Sequence, residues 1–111
     1  MPFANARRAR HVAGAMNKLE GQYELSLRIM EQANEIQSFM FEPLKLKLAD
    51  KTYYTPDFMV VANTNIIELH EVKGFWEDDA RVKIKVAAKM FPQFQFKAFS
   101  RKKGMWIEEG F

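Results

Sequence analysis

The feature that most limits how this chain can fold is a single helical pattern set between two strand patterns. Ile84, Ala87, Ala88 and Phe91 recur at helical spacing over residues 80–91. Glu77, Asp78 and Asp79 stand before them, where acids suit the helix dipole, and Pro92 ends the run. Before this helix, residues 66–73 read as a strand closed by Gly74. After it, Phe94, Phe96 and Ala98 alternate with Gln95 and Lys97. A helical crossover makes two such strands parallel neighbours in one sheet.

The earlier segments are joined by turns too short for a crossover. Leu44, Leu46 and Leu48 alternate with Lys45 and Lys47, so residues 39–48 read as one strand, and Asp50 with Lys51 as the turn after it. A second strand is expected over 52–61, followed by a turn at Asn63, Thr64 and Asn65. Upstream, Leu19, Tyr23, Leu27, Met30 and Ala33 place one apolar face on a helix over 19–36, with Asn17 as its N-cap. A short last strand, 105–107, completes the pattern at an edge. The expected fold is α/β: helix, three meandering strands, helix and strand around one mixed sheet. Such a skeleton hosts many activities and selects none.

A chain of 111 residues holds one compact domain, and 48% hydrophobic residues with ten Phe supply a core. Residues 1–16 read as a basic N-terminal arm and 17–111 as the domain. The net charge of +3 says little, but its distribution says more. Up to Lys18 the chain carries Arg7, Arg8, Arg10 and no acid, and Lys97, Arg101, Lys102 and Lys103 form a second basic run. Runs of this kind either keep a protein solvated or meet a polyanion. With no cysteine, disulfides and thiolate zinc sites are excluded, so any metal is held by oxygen or imidazole. No stretch approaches the ~20 apolar residues of a membrane span, and residues 1–16 lack the continuous apolar segment of a secretory signal, so a soluble cytoplasmic protein without a membrane partner is expected.

The chemical signal is Pro56-Asp57, followed after thirteen residues by Glu71-Val72-Lys73. Residues two apart on a strand share a side, so Glu71 and Lys73 project together while Val72 faces the other layer. If the strands bearing Asp57 and Glu71 are neighbours, both carboxylates converge on one point. With the Val72 backbone carbonyl and waters they make the oxygen-rich shell that Mg²⁺ or Mn²⁺ prefers. An adjacent lysine ammonium can polarise an attacking water or offset charge on a phosphorane. The plain alternative is an ordinary Glu71–Lys73 ion pair with Asp57 in a turn, since the tripeptide is common by chance. Glu20 is a further acid on the first helix. Its spacing from Asn17 matches a capping box, which leaves it between capping and metal work, and Glu24 lies one turn later.

The run Tyr54-Thr55-Pro56-Asp57-Phe58, then Glu71-Val72-Lys73-Gly74-Phe75-Trp76 with Glu77-Asp78-Asp79 and Arg81, resembles the core of the phage endonuclease I family. These are Holliday-junction resolvases of the PD-(D/E)xK nuclease superfamily. The likeness extends upstream to Asn17-Lys18-Leu19-Glu20 and covers residues 7–103. It implies a restriction-endonuclease-like core in which Glu20 is the helix-borne catalytic acid and a possible metal ligand. Asp57 and Glu71 are then the metal ligands and Lys73 the catalytic lysine. It also implies a homodimer that exchanges its N-terminal helix, and residues 39–48 are the candidate bridging strand. The chain departs from the family in lacking a long basic C-terminal extension.

The expectation is therefore a Mg²⁺-dependent endonuclease, with Mn²⁺ as substitute, that hydrolyses phosphodiesters in branched DNA in the cytoplasm, the host cytoplasm if phage-encoded. A nicking or less selective nuclease of the same superfamily, and a non-catalytic DNA-binding subunit, are the alternatives. Arg7, Arg8, Arg10, Lys18, Arg81, Lys85, Arg101 and Lys102 are the candidate DNA contacts. On the second helix, where Lys83 and Lys89 also lie, phosphate contact and plain solvation stand equal. His70 points away from the acids and reads as a packing or hydrogen-bonding residue, His11 as a DNA or solvent contact, and Phe75 and Trp76 as core, lid or base-stacking residues.

Overall fold

The structure is a computed structural model that describes residues 15–76 and 78–111. Its elements are α1 (Lys18–Gln32), β1 (Ile36–Phe41), β2 (Leu46–Ala49), β3 (Thr52–Tyr54), β4 (Phe58–Ala62), β5 (Ile67–Val72), α2 (Asp78–Met90), β6 (Gln95–Lys102) and β7 (Met105–Gly110). Five strands form one sheet in the order β1-β4-β5-β6-β7, and β2 with β3 makes a separate hairpin. The β5–β6 pair joined through α2 is parallel, and the remaining neighbours are antiparallel. The architecture is thus α/β with a mixed sheet and two helices. No described helix is long and apolar enough to cross a membrane.

Each face of the sheet buries its own core. Tyr23 and Leu27 of α1 pack on Ile36, Phe58, Val60 and Val72. On the opposite face Ile84 and Ala87 of α2 join Leu69, Phe96 and two hairpin residues, Leu46 and Tyr54. The hairpin therefore belongs to the α2 layer, although it precedes β4 and β5 in sequence.

Residues 39–48 are not one strand, so the bridging strand expected there is not a continuous element of the chain. The apolar positions change parity, with Phe39 and Phe41 packed in the α1 core and Leu44, Leu46 and Leu48 in the α2 core. Between them Glu42 takes a left-handed φ of 44° and Pro43 offers no N–H to a ladder. The segment 52–61 divides in the same way, with Thr55, Pro56 and Asp57 separating β3 from β4. The first helix stops at Gln32 instead of 36, because Asn34 turns at φ 63° and releases Ile36 into β1. The last two strands run longer than expected and pair from Lys97↔Gly110 to Lys102↔Met105.

The α1 core encloses one polar chain. His70 and Glu68 are joined at 2.8 Å through His70 Nε2, and His70 Nδ1 lies 2.7 Å from the Tyr23 hydroxyl. The bond to His70 holds Glu68 below the usual carboxylate range. An ionised Glu68 only accepts, so Nε2–H donates to it and Nδ1 accepts from Tyr23. Burial, with Glu68 nearby, raises the Tyr23 hydroxyl far above its ordinary range and keeps that proton in place. His70 is thus bonded inside the core and turned away from Glu71, as its position in the strand implied. Tyr23→Phe strands His70 Nδ1 without a donor and is expected to cost ~1–3 kcal/mol, read as a lower urea midpoint with unchanged m.

Candidate active site

The acids meet where the sheet ends. The register Phe58↔His70 sets Asp57, one residue before β4, opposite Glu71 on β5. The Val72 amide crosses this gap and donates to Asp57 Oδ2 at 2.7 Å, while the Glu42 amide donates to the Asp57 carbonyl at 2.8 Å. Asp57 is held at both its side chain and its backbone. The N–H and C=O of one strand residue point to the same neighbour, so the Val72 carbonyl also lies on the Asp57 side.

Glu71 is fixed through both oxygens. The Tyr54 hydroxyl donates to Oε1 at 2.7 Å, and Lys73 Nζ stands 3.2 Å from Oε2. Lys73 itself lies just past β5, with its amide bonded to the Phe99 carbonyl at 2.9 Å and its ammonium partly open to solvent. Val72 points into the α1 core, as the two-residue strand period requires.

Glu20 arrives from the start of α1 and does two things. Its amide donates to Asn17 Oδ1 at 2.8 Å and its Oε1 accepts from the Asn17 amide at 3.0 Å, which completes the capping box. The same side chain is 4% exposed and lies close enough to Asp57 to oppose its ionisation. Capping and proximity to the acids are therefore not exclusive. Glu20, Asp57, Glu71, Val72 and Lys73 all line one cavity of about 540 Å³, with Lys45 at its wall.

Asp57 and Glu71, both buried and close to each other, resist ionising together. The Asp57 carboxyl is pushed up to about 9, first by burial and then by the Glu71 charge, against the pull of the Val72 amide, and Glu20 adds to the rise. Burial also raises Glu71, opposed by Lys73 and by the Tyr54 hydroxyl. Among the described residues no three His, Asp or Glu side chains form a ready-made metal-binding group. What the chain offers instead is a pair of facing carboxylates, a backbone carbonyl and room for water. That is the donor set by which Mg²⁺ is usually held, through one or two carboxylates, and it fits.

The candidate DNA contacts are dispersed. Lys18 is exposed at the start of α1, beside the cavity. The register Val72↔Phe99 carries Arg101 and Lys102 past the end of β5, at the same end of the sheet, and Arg101 lies 4.9 Å over Trp106. Arg81 instead stacks at 4.5 Å on Trp76 and pairs with Glu109 at 2.9 Å, so its charge is already engaged. Lys85 lines a separate cleft with Gly110 and Phe111. Arg7, Arg8, Arg10 and His11 lie outside the described residues, as does most of the 1–16 arm.

Sequence reasoning missed Tyr54 and Lys45 as site residues. Tyr54 sits three residues before Asp57, but no local pattern marks its hydroxyl as a partner of Glu71. Lys45 read only as the wet side of a strand. Comparison of the chain with protein-family models and with curated proteins returns no match.

Proposed function

We propose that this protein is a metal-dependent DNA endonuclease of the PD-(D/E)xK type that cuts branched DNA as a junction resolvase does. The observation that carries the reading is the meeting of Asp57 and Glu71 across adjacent strands, with the Lys73 ammonium 3.2 Å from Glu71. Asp57, Glu71 and the Val72 carbonyl would hold Mg²⁺ or Mn²⁺, which supplies Lewis acidity at a phosphate oxygen. The chain's own groups do the rest. Tyr54 and Val72 fix the two carboxylates so that neither reorients during the reaction. Lys73 orients the attacking water or offsets charge on the phosphorane oxygens. Glu20 closes the third side of the cavity.

A homodimer, with one cut on each of two strands, belongs to this reading on the strength of the resemblance. Within one chain Glu20 already lies beside Asp57. Exchange of α1 would reproduce this contact between subunits and leave the site unchanged. Without a base-reading motif, selectivity would come from DNA shape and phosphate placement.

The test is a parallel digest of four-way junction, nicked, single-stranded and linear duplex DNA, with Mg²⁺, with Mn²⁺ and with EDTA. Preferred, metal-dependent cutting of the junction is expected. Equal cutting of all substrates would move the reading to a less selective nuclease of the superfamily, and no cutting of any would leave only a DNA-binding subunit.

A further inference from the structure

Beside the acidic cavity lies a second cleft of about 210 Å³, and the two share Thr55, Glu71 and Lys73 as a common wall. Its far side is built by Tyr53 of the hairpin and Lys83 of α2. Tyr53 is 42% exposed although it is a large aromatic, and Lys45, which lines the first cavity, holds its ammonium 5.0 Å from the Tyr53 ring centre. Lys45, Lys73 and Lys83 thus follow one another from one cleft to the next. The only acid on the shared wall, Glu71, is already paired with Lys73. The hairpin owes its position to Leu46 and Tyr54, which are buried in the α2 core, so Tyr53 and Lys83 are presented on one rigid layer.

We infer that Tyr53 and Lys83 form a flanking nucleotide subsite for a DNA strand, with the Lys83 ammonium on the phosphate next to the one at Lys73 and the Tyr53 ring against the adjoining base or sugar. The inference rests on the nuclease reading for the identity of the strand. The chemistry fits a polyanion with flat apolar groups between its charges. An ammonium gives affinity that falls with salt, and an exposed ring gives stacking that does not depend on base identity. A small carboxylate ligand would pair with the ammonium but would make no use of the exposed ring.

The test is fluorescence anisotropy of a labelled four-way junction and a labelled single strand in EDTA, from 50 to 200 mM NaCl. Wild type would be compared with Lys83→Gln, Tyr53→Ala, Tyr53→Phe and the charge-matched control Lys89→Gln. Lys83→Gln is expected to lower the slope of log affinity against log salt by about one, and Lys89→Gln to leave it unchanged. Tyr53→Ala is expected to weaken binding of the single strand roughly 5- to 100-fold at constant slope, and Tyr53→Phe to retain affinity. Equal slopes for wild type and Lys83→Gln, equal effects of Lys83→Gln and Lys89→Gln, or an unchanged Tyr53→Ala would overturn the subsite, as would a wild type that binds neither DNA. Cleavage in Mg²⁺ is scored separately. Cutting with an unaltered Lys83→Gln slope removes the subsite and keeps the nuclease, whereas a lowered slope without any cutting does the reverse.

Discussion

Lys73→Ala is expected to lower single-turnover cleavage of junction DNA by roughly 10²–10³-fold while leaving affinity for the junction within a few-fold. The side chain lines the cavity, is partly solvated, and holds its ammonium 3.2 Å from Glu71. Its loss therefore removes a positive charge from beside Glu71 and takes away a partly exposed side chain, not a buried one. One phosphate contact among many changes equilibrium binding little. The same ammonium also draws Glu71 toward its ionised form, so the variant holds that carboxyl higher still. Unchanged cutting would remove Lys73 from the chemistry. A proportional fall in binding and cutting would make it an anchor for DNA and nothing more.

Much of this arrangement was legible in the sequence because it depends on strand parity alone. Asp57 opposite Glu71, and Glu71 on the face opposite Val72, follow from a two-residue period and one short turn. The α2 crossover followed from a helical pattern between strands, and Asn17 with Glu20 from cap spacing. The failures lie where local chemistry overrode a plausible alternation. Phe39, Phe41, Leu44, Leu46 and Leu48 are all apolar at near-regular spacing, and the shift of parity at Glu42 and Pro43 marks a change of layer that a single strand would hide. The folding-back of the hairpin onto α2 is a tertiary event with no local signature. Tyr54 was invisible as a site residue for that reason, since its hydroxyl reaches Glu71 only after β2 and β3 have docked.

The position of the acids explains why the site demands so much of the fold. Asp57 and Glu71 lie at the end of the central strands, where a helix start, a hairpin and two strand ends converge, and each carboxylate is tied to a different layer. Val72 binds Asp57 from within the sheet, and Tyr54 binds Glu71 from the hairpin. A shift of either layer by an ångström would separate the pair, and such a shift is costly to a positioned site.

Asp57→Asn is expected to abolish cleavage and, without metal, to raise the melting temperature. In the folded chain the Asp57 carboxyl sits at about 9, whereas in the unfolded chain it returns to its ordinary value of 3.8. Between those values the folded state keeps a proton that the unfolded state has lost, so stability falls as pH rises through that window. The penalty is absent below pH ~4 and complete above pH ~9. Asparagine keeps an oxygen for the Val72 amide and removes the charge that burial, Glu71 and Glu20 oppose. Metal-free melts at pH 5, 7 and 9 should show wild type weakening steadily and the variant much less. A gain of roughly 5 °C at pH 9 requires only ~1 kcal/mol in a domain of this size. Mg²⁺ should stabilise wild type by mass action and leave the variant where it was. If Asp57→Asn instead melts well below wild type in the absence of metal, the residue's task is to hold the strand ends together, and the paired carboxylates are structural.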